Sequence, residues 1–304
     1  MARRSLRLYI QRMVFQPLDP GPTPPFRRRR FKAIPVRMLL PNLITLLALC
    51  AGLTAIRMAV ELRLDLALGA IVLAAVLDGV DGRVARLLKG TSRFGAELDS
   101  LADFVNFGVT PALILYFWGL HDLHSVGWIA SLVFAICGAL RLARFNVMID
   151  DPTKPAWAGN FFTGIPAPAG AITVLLPIYL SFLGLPDNLA TVWFTFVYTL
   201  VIALLMVSRL PVFSGKRVGK RVPPEIVLPL FVAAVLVVAL LISYPWIVLA
   251  MGTIVYLACL PLGYRAYRDY ERRDAEAAKA AGPGDGTFAP PTAPESDERP
   301  ARLN

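Results

Sequence analysis

Charged residues are scarce in this sequence. Asp, Glu, Lys and Arg together make up 17% of its 304 residues, whereas hydrophobic residues make up 56%. A water-soluble domain needs more polar surface than this composition supplies. The scarcity of charge therefore excludes an ordinary soluble protein and predicts that most of the chain lies in a lipid bilayer.

Cysteine and histidine are also rare, with three cysteines and two histidines in the chain. Cys50, Cys137 and Cys259 fall in separate apolar segments without CxxC spacing, which argues against a disulfide framework and a zinc site. We interpret the cysteines as packing residues. His121 and His124 lie in a short loop, where general loop polarity explains them better than metal binding.

Long apolar runs are abundant. Eight are long enough to cross about 30 Å of hydrocarbon, and they cover residues 39–60, 66–88, 94–118, 126–147, 164–183, 189–211, 226–241 and 245–263. The predicted fold is an all-α integral membrane protein with about eight transmembrane helices. Residues 39–263 form the predicted transmembrane catalytic domain, between a basic N-terminal tail (1–38) and a largely disordered C-terminal tail (264–304).

Lys and Arg are distributed unevenly between the two sides of this predicted bundle. The tails and the loops on their side carry almost all of them, including ten in the first 38 residues, whereas the opposite loops carry only Arg63. By the positive-inside rule, both tails face the cytoplasm. We therefore predict a multi-pass protein of the inner (cytoplasmic) membrane whose active site faces the cytoplasm.

Four aspartates fall within or at the edge of predicted spans: Asp78, Asp81, Asp99 and Asp103. Their spacing of three and four residues puts each pair on one helix face. An unpaired charge there costs on the order of a few kcal/mol, and Arg83 and Arg86 are too few to neutralise four carboxylates. One or two divalent cations would suffice, and oxygen ligands favour Mg²⁺ or Mn²⁺. The alternatives are a structural ion-pair network and an ion-coupled transporter.

The spacing of these residues resembles the signature of the CDP-alcohol phosphotransferase family, DxxDGxxAR followed after eight residues by GxxxDxxxD. This sequence matches every fixed position. The resemblance implies the helical bundle of that family, a homodimer and two divalent metal ions. It implies that Asp78, Asp81 and Asp99 bind metal and that Asp103 is the base and a further ligand. Nucleotide contacts are implied at Gly82, Ala85, Arg86 and Gly95.

Further stretches resemble the phosphatidylserine synthase branch of this family: Pro41-Asn42 with Thr45, and residues 100–112, 138–147 and 162–168. The resemblance runs from about Arg27 to Lys220 and leaves the last two spans as apolar segments without a recognised feature. It departs at Asn106, where that branch is expected to have serine. It implies transfer from CDP-diacylglycerol to L-serine with release of CMP, and it puts Asn42 and Thr45 on the nucleotide side.

A serine acceptor brings a carboxylate, which the planar guanidinium of arginine can bind through two hydrogen bonds. Arg141 and Arg144 lie within an apolar span and are the best candidates, and Asn146 adds hydrogen-bonding capacity nearby. Arg209 is a further candidate, although snorkelling at the interface explains it equally well. The predicted partners are the substrates and membrane lipids, with no nucleic acid. Another acceptor, glycerol 3-phosphate or inositol phosphate, is the nearest alternative.

Overall fold

The structure, a computed structural model, describes residues 36–90, 92–149, 161–208, 210–213 and 224–280. Within these ranges the chain is almost entirely helical, which confirms the predicted all-α membrane fold. Most of the predicted N-terminal tail, Arg209 and residues 281–304 lie outside the described residues.

The described ranges contain ten α-helices: α1 (Val36–Val60), α2 (Leu64–Leu87), α3 (Arg93–Asp103), α4 (Thr110–Trp118), α5 (His124–Ile149), α6 (Ala167–Val174), α7 (Leu176–Phe182), α8 (Leu189–Val207), α9 (Pro224–Ser243) and α10 (Pro245–Ala280). A π-helical segment, Phe104–Val109, connects α3 to α4, and a 3₁₀ turn, Leu120–Leu123, connects α4 to α5. Each of the eight predicted spans contains at least one of these helices.

Five helical segments of the described chain are long and apolar enough to cross a membrane: Leu39–Val60, Arg93–Trp118, Leu120–Met148, Leu189–Val207 and Pro245–Arg265. Two shorter apolar segments are Ala167–Phe182 and Val227–Ser243. Helix α2 falls outside both groups, and its C-terminal half carries the aspartates and arginines that lower its hydropathy. The bundle therefore contains one helix, α2, whose C-terminal half is polar.

The predicted span 164–183 is divided in two. Helix α6 ends at Val174, and α7 begins at Leu176 with Pro177 in its first turn. Proline has no N–H to donate to the preceding turn and its ring clashes with that turn, so the α-helix is interrupted there. The sequence analysis did not predict this break.

Two short strands, β1 (Phe161–Thr163) and β2 (Pro211–Phe213), pair antiparallel, with Phe162 opposite Val212. They were not predicted either. The following Gly164 has φ +76° and donates its N–H to the Leu210 carbonyl at 2.8 Å. A Cβ at this position would lie 2.4 Å from the Met206 carbonyl oxygen, so only glycine fits this connection beside the end of α8.

Helices α1 and α2 form an antiparallel hairpin, and fully buried alanines, including Ala55, Ala59 and Ala67, allow their backbones to approach closely. The π-helical segment packs equally closely on α5, because a Cβ at Gly138 would lie 3.3 Å from the Cα of Gly108. In contrast, large apolar side chains of α9 such as Phe231 are mostly exposed, as expected for a surface that faces lipid.

Helix α10 continues to Ala280, through residues 264–280, where the sequence analysis places the start of a largely disordered tail. This extension was not predicted. Residues 264–280 are rich in alanine and arginine, which are strong helix formers and can continue a helix beyond its apolar part.

Candidate active site

The four aspartates lie on two consecutive helices. Asp78 and Asp81 belong to the C-terminal part of α2, and Asp99 and Asp103 to the C-terminal half of α3. Ser92 caps α3, because its side-chain oxygen accepts the N–H of Gly95 at 3.0 Å. This cap fixes where α3 starts.

Three of the predicted ligands form a compact cluster. Asp78, Asp99 and Asp103 each contribute a carboxylate oxygen, and these oxygens all lie within 4.8 Å of one another. Asp78 and Asp103 are also close enough to interact electrostatically. Carboxylates can approach so closely in apolar surroundings only when a proton or a cation lies between them. The oxygen donors and their separation fit a divalent cation such as Mg²⁺ or Mn²⁺.

Asp81 lies beside this carboxylate cluster but is oriented differently. Its side chain is only 2% exposed, and it accepts a hydrogen bond of 2.7 Å from the Thr45 hydroxyl of α1. It is still close enough to Asp78 and Asp99 to interact with them electrostatically. Its predicted role as a metal ligand stays a prediction.

A cavity of about 210 Å³ adjoins the carboxylate cluster. Its lining includes all six residues predicted to contact the nucleotide, which are Asn42, Thr45, Gly82, Ala85, Arg86 and Gly95. Asp81 and Asp99 also line it, and Asp99 thereby belongs to both the cavity and the carboxylate cluster. Residues of three helices, far apart in sequence, thus converge on one space.

The two glycines of this cavity act in different ways. Gly82 faces open space, with no atom within 4 Å of a Cβ added to it, so its backbone is accessible to a bound molecule. At Gly95, an added Cβ would lie 2.8 Å from the Asn42 side-chain oxygen and 3.1 Å from the Ser92 oxygen. A Cβ at position 95 would therefore displace the Asn42 amide or the Ser92 hydroxyl from its present position.

The structure separates the residues predicted to bind the acceptor. Arg141 is buried, at 8% exposure, and lies within electrostatic range of Asp103. Arg144 donates a hydrogen bond of 2.6 Å to the carbonyl of Val207 at the end of α8, and Asn146 is exposed and donates to Ser100 at 3.0 Å. The predicted contact at Arg209 lies outside the described residues.

Sequence reasoning missed several features of the site. Pro41, Gly90, Ser92 and Ala96 also line the cavity. Of these, Ser92 was recognisable, because a serine directly before a helix is a frequent N-cap. Asn106 lies in the π-helical segment and is 1% exposed. The oxygen of its side-chain amide has no hydrogen-bond partner in the described chain.

Comparison with known proteins gives two family matches. A model described as CDP-alcohol phosphatidyltransferase matches residues 38–207, and one described as CDP-alcohol phosphatidyltransferase 2 matches residues 225–261. The second match covers most of α9 and the first part of α10. It therefore corrects the expectation that the last two spans carry no recognised feature.

Curated relatives extend these matches. The chain is 41% identical over 230 residues to the CDP-diacylglycerol--serine O-phosphatidyltransferase of Mycobacterium tuberculosis, covering 76% of this chain and 79% of the relative. It is 37% identical to the Helicobacter pylori protein of the same name, covering 66% of this chain and 82% of the relative. The archaetidylserine synthase of Methanothermobacter thermautotrophicus is 34% identical, covering 47% of this chain and 59% of the relative. As the spacing of its aspartates and glycines predicted, the chain belongs to the CDP-alcohol phosphatidyltransferase family.

Proposed function

We propose that this protein transfers the phosphatidyl group of CDP-diacylglycerol to the hydroxyl of L-serine and releases CMP. The observation that carries the proposal is the direct connection between the cavity and the carboxylate cluster through Asp99. This arrangement suits a nucleotide-linked substrate whose phosphates lie beside the carboxylates. The names of the Mycobacterium tuberculosis and Helicobacter pylori relatives support both the donor and the acceptor.

The cavity is proposed to bind the CDP part of the donor. Arg86 contributes a positive charge, Asn42 offers an amide for hydrogen bonding, and the open backbone at Gly82 allows close approach. The Thr45 hydroxyl is already committed to Asp81 at 2.7 Å, so its contribution is to hold that carboxylate in place. The acyl chains of the donor would remain in the surrounding lipid.

The carboxylate cluster is proposed to hold two Mg²⁺ or Mn²⁺ ions. Asp78, Asp99 and Asp103 supply the clustered oxygens, and Asp81 is the remaining candidate ligand. When bound, such ions stabilise the negative charge that develops on the phosphates during transfer. Four carboxylates in apolar surroundings also need this positive charge for their own stability.

In the proposed reaction, the serine hydroxyl oxygen forms a bond to the lipid-proximal phosphorus while the phosphoanhydride bond to CMP breaks. The hydroxyl proton moves to Asp103, and CMP leaves with the bonding electron pair. Asp103 is suited to this role because it lies at the end of α3 within electrostatic range of the buried Arg141. Arg141 is proposed to bind the carboxylate of the serine.

We further propose that the site faces the cytoplasm and that the protein is a homodimer of the inner membrane. The excess of Lys and Arg on the side of both tails supports the orientation, and the family resemblance supports the dimer. Glycerol 3-phosphate and inositol phosphate are less suited as acceptors, since a phosphate dianion needs several cations. Among the Lys and Arg side chains whose burial the structure describes, Arg141 is the only buried one.

The test is an acceptor panel with purified protein, CDP-diacylglycerol and Mg²⁺ or Mn²⁺. Serine, glycerol 3-phosphate, inositol and inositol phosphate are supplied separately, and CMP and the lipid product are identified by mass spectrometry. We expect phosphatidylserine from the wild type and from Asp65→Asn, a control at an exposed aspartate in the first turn of α2, and none from Asp78→Asn. Product with another acceptor and none with serine would refute the proposal.

A further inference from the structure

Helices α5 and α10 each carry a buried polar group without a hydrogen-bond partner in the described chain. Arg141 of α5 has no hydrogen-bond partner for its Nε, and Tyr256 of α10 has none for its buried hydroxyl, among all atoms of the described chain. Buried donors left unpaired cost free energy, so native structures almost always satisfy them with protein, water or ligand. Two such groups therefore call for an explanation.

These groups belong to one region of the protein. Arg141 and Tyr256 interact electrostatically with each other, and Arg141 also interacts with Asp103 of the carboxylate cluster. Arg141, which is 8% exposed, is thus within electrostatic range of both the carboxylate cluster and α10. A molecule that satisfies both unpaired groups would lie beside the attacking position without occupying the nucleotide cavity.

Helix α10 presents a second unpaired hydroxyl on the same face. Thr253 lies three residues before Tyr256, so the two side chains project from one side of the helix. Its side chain is 3% exposed and its hydroxyl has no hydrogen-bond partner in the described chain. The inward face of α10 therefore carries two unpaired hydroxyls among apolar residues such as Ala250 and Leu257.

We propose that Tyr256, together with Arg141, forms a buried subsite for the carboxylate of the amino-acid acceptor. This inference rests on the proposed function and assigns the last membrane helix a part in acceptor selection. The guanidinium and the phenol both donate hydrogen bonds, and their combined charge of +1 matches one carboxylate. A phosphate dianion would leave a net negative charge buried beside Asp103.

The geometry of serine agrees with this subsite. Its carboxylate and its hydroxyl are separated by only a few bonds, so a carboxylate held by Arg141 leaves the hydroxyl within reach of Asp103. An acceptor without a carboxylate would leave Arg141 and Tyr256 unsatisfied, and such unpaired groups strongly disfavour a substrate analogue.

The experiment is a comparison of Tyr256→Phe with the wild type. Phenylalanine keeps the ring that packs against the hydrophobic core and removes only the hydroxyl. A hydrogen bond to a charged group contributes roughly a 10- to 100-fold preference, so the KM for serine should rise by about this factor. The KM for CDP-diacylglycerol should stay unchanged, because the nucleotide cavity does not include Tyr256.

Tyr198→Phe is the matched control. It removes a phenol hydroxyl from α8 that already donates to the Thr173 carbonyl at 2.8 Å, so it tests the general effect of losing such a group. Serinol, which is serine with a second hydroxymethyl group in place of the carboxylate, supplies a second readout. Tyr256→Phe should lower kcat/KM for serine and leave kcat/KM for serinol unchanged, whereas Tyr198→Phe should not alter the ratio.

Each possible result either supports or overturns the proposed subsite. An unchanged KM for serine in Tyr256→Phe, or an equal loss with serine and serinol, overturns the subsite. If Tyr256→Phe does not fold, Arg141→Lys serves instead, because it keeps the charge and loses the fork of donors, and an unchanged serine KM there overturns the subsite as well. If the wild type makes no phosphatidylserine, the proposed function itself is refuted. This result distinguishes failure of the proposed function from failure of the subsite.

Discussion

Replacement of Thr45 by valine tests how α1 contributes to the active site. Valine has nearly the shape of threonine but cannot donate the 2.7 Å hydrogen bond to Asp81. Because Asp81 is 2% exposed, water cannot easily replace this donor. A hydrogen bond to a charged group is worth about 1.5 to 3 kcal/mol, which corresponds to a factor of about 10 to 150 in a binding constant.

The expected result is a loss of about that factor in kcat/KM for CDP-diacylglycerol, with the KM for serine preserved. Initial rates of CMP release over a series of donor concentrations measure it. Thr45→Ser keeps the hydroxyl and is the matched control, expected to stay within a few-fold of wild type. Equal donor kinetics in Thr45→Val and Thr45→Ser would refute the reasoning, because the hydroxyl would then contribute nothing through Asp81.

Three further predictions concern the carboxylate cluster and the close approach of α3 to α1. EDTA should abolish CMP release, and Mg²⁺ or Mn²⁺ should restore it; full activity in metal-stripped protein would contradict the proposed cation site. Asp103→Asn should lower kcat by roughly 10²- to 10⁴-fold, the usual contribution of a positioned base. Retained metal binding, measured by calorimetry, would support its role as a base, and lost binding would show that it acts mainly as a ligand. Gly95→Ala should lower donor affinity more than thermal stability, because the new Cβ would lie 2.8 Å from the Asn42 oxygen and would displace this amide from its position in the cavity. Gly69→Ala, where nothing lies within 4 Å, should be neutral or stabilising by up to about 1 kcal/mol in a melting assay.

The helices and the acidic site could be predicted because both depend on local periodicity. Apolar runs of sufficient length specify membrane helices whatever they pack against, so each predicted span contains a helix. A spacing of three or four residues puts two side chains on one helix face, which was enough to bring Asp99 and Asp103 together. The short connection after α2 then brought Asp78 to the same place.

Features that depend on contacts between distant segments could not be predicted in this way. Helix periodicity alone cannot indicate that Thr45 would bond to Asp81, or that Arg144 would bond to the Val207 carbonyl. The pairing of β1 with β2 also depends on where α8 ends. The inward orientation of Tyr256 was hidden because a tyrosine in an apolar helix is usually a packing or interface residue.

The π-helical segment between α3 and α4 divides one membrane helix into two parts, so that the direction of the side chains in one part does not follow from that in the other. A π-helical turn holds more residues than an α-helical turn, so one such turn shifts every later side chain by about one residue position, or about 100°. Asp103 precedes the shift and Thr110 follows it, with Thr110 donating to the Gly52 carbonyl of α1 at 3.4 Å. The part after the π-helical segment can therefore pack against its neighbours in its own register, while the part before it keeps Asp99 and Asp103 close to Asp78 of α2. Deleting one residue from this segment would restore a regular helix. The aspartates before it and the packing residues after it could then no longer both keep their present orientations.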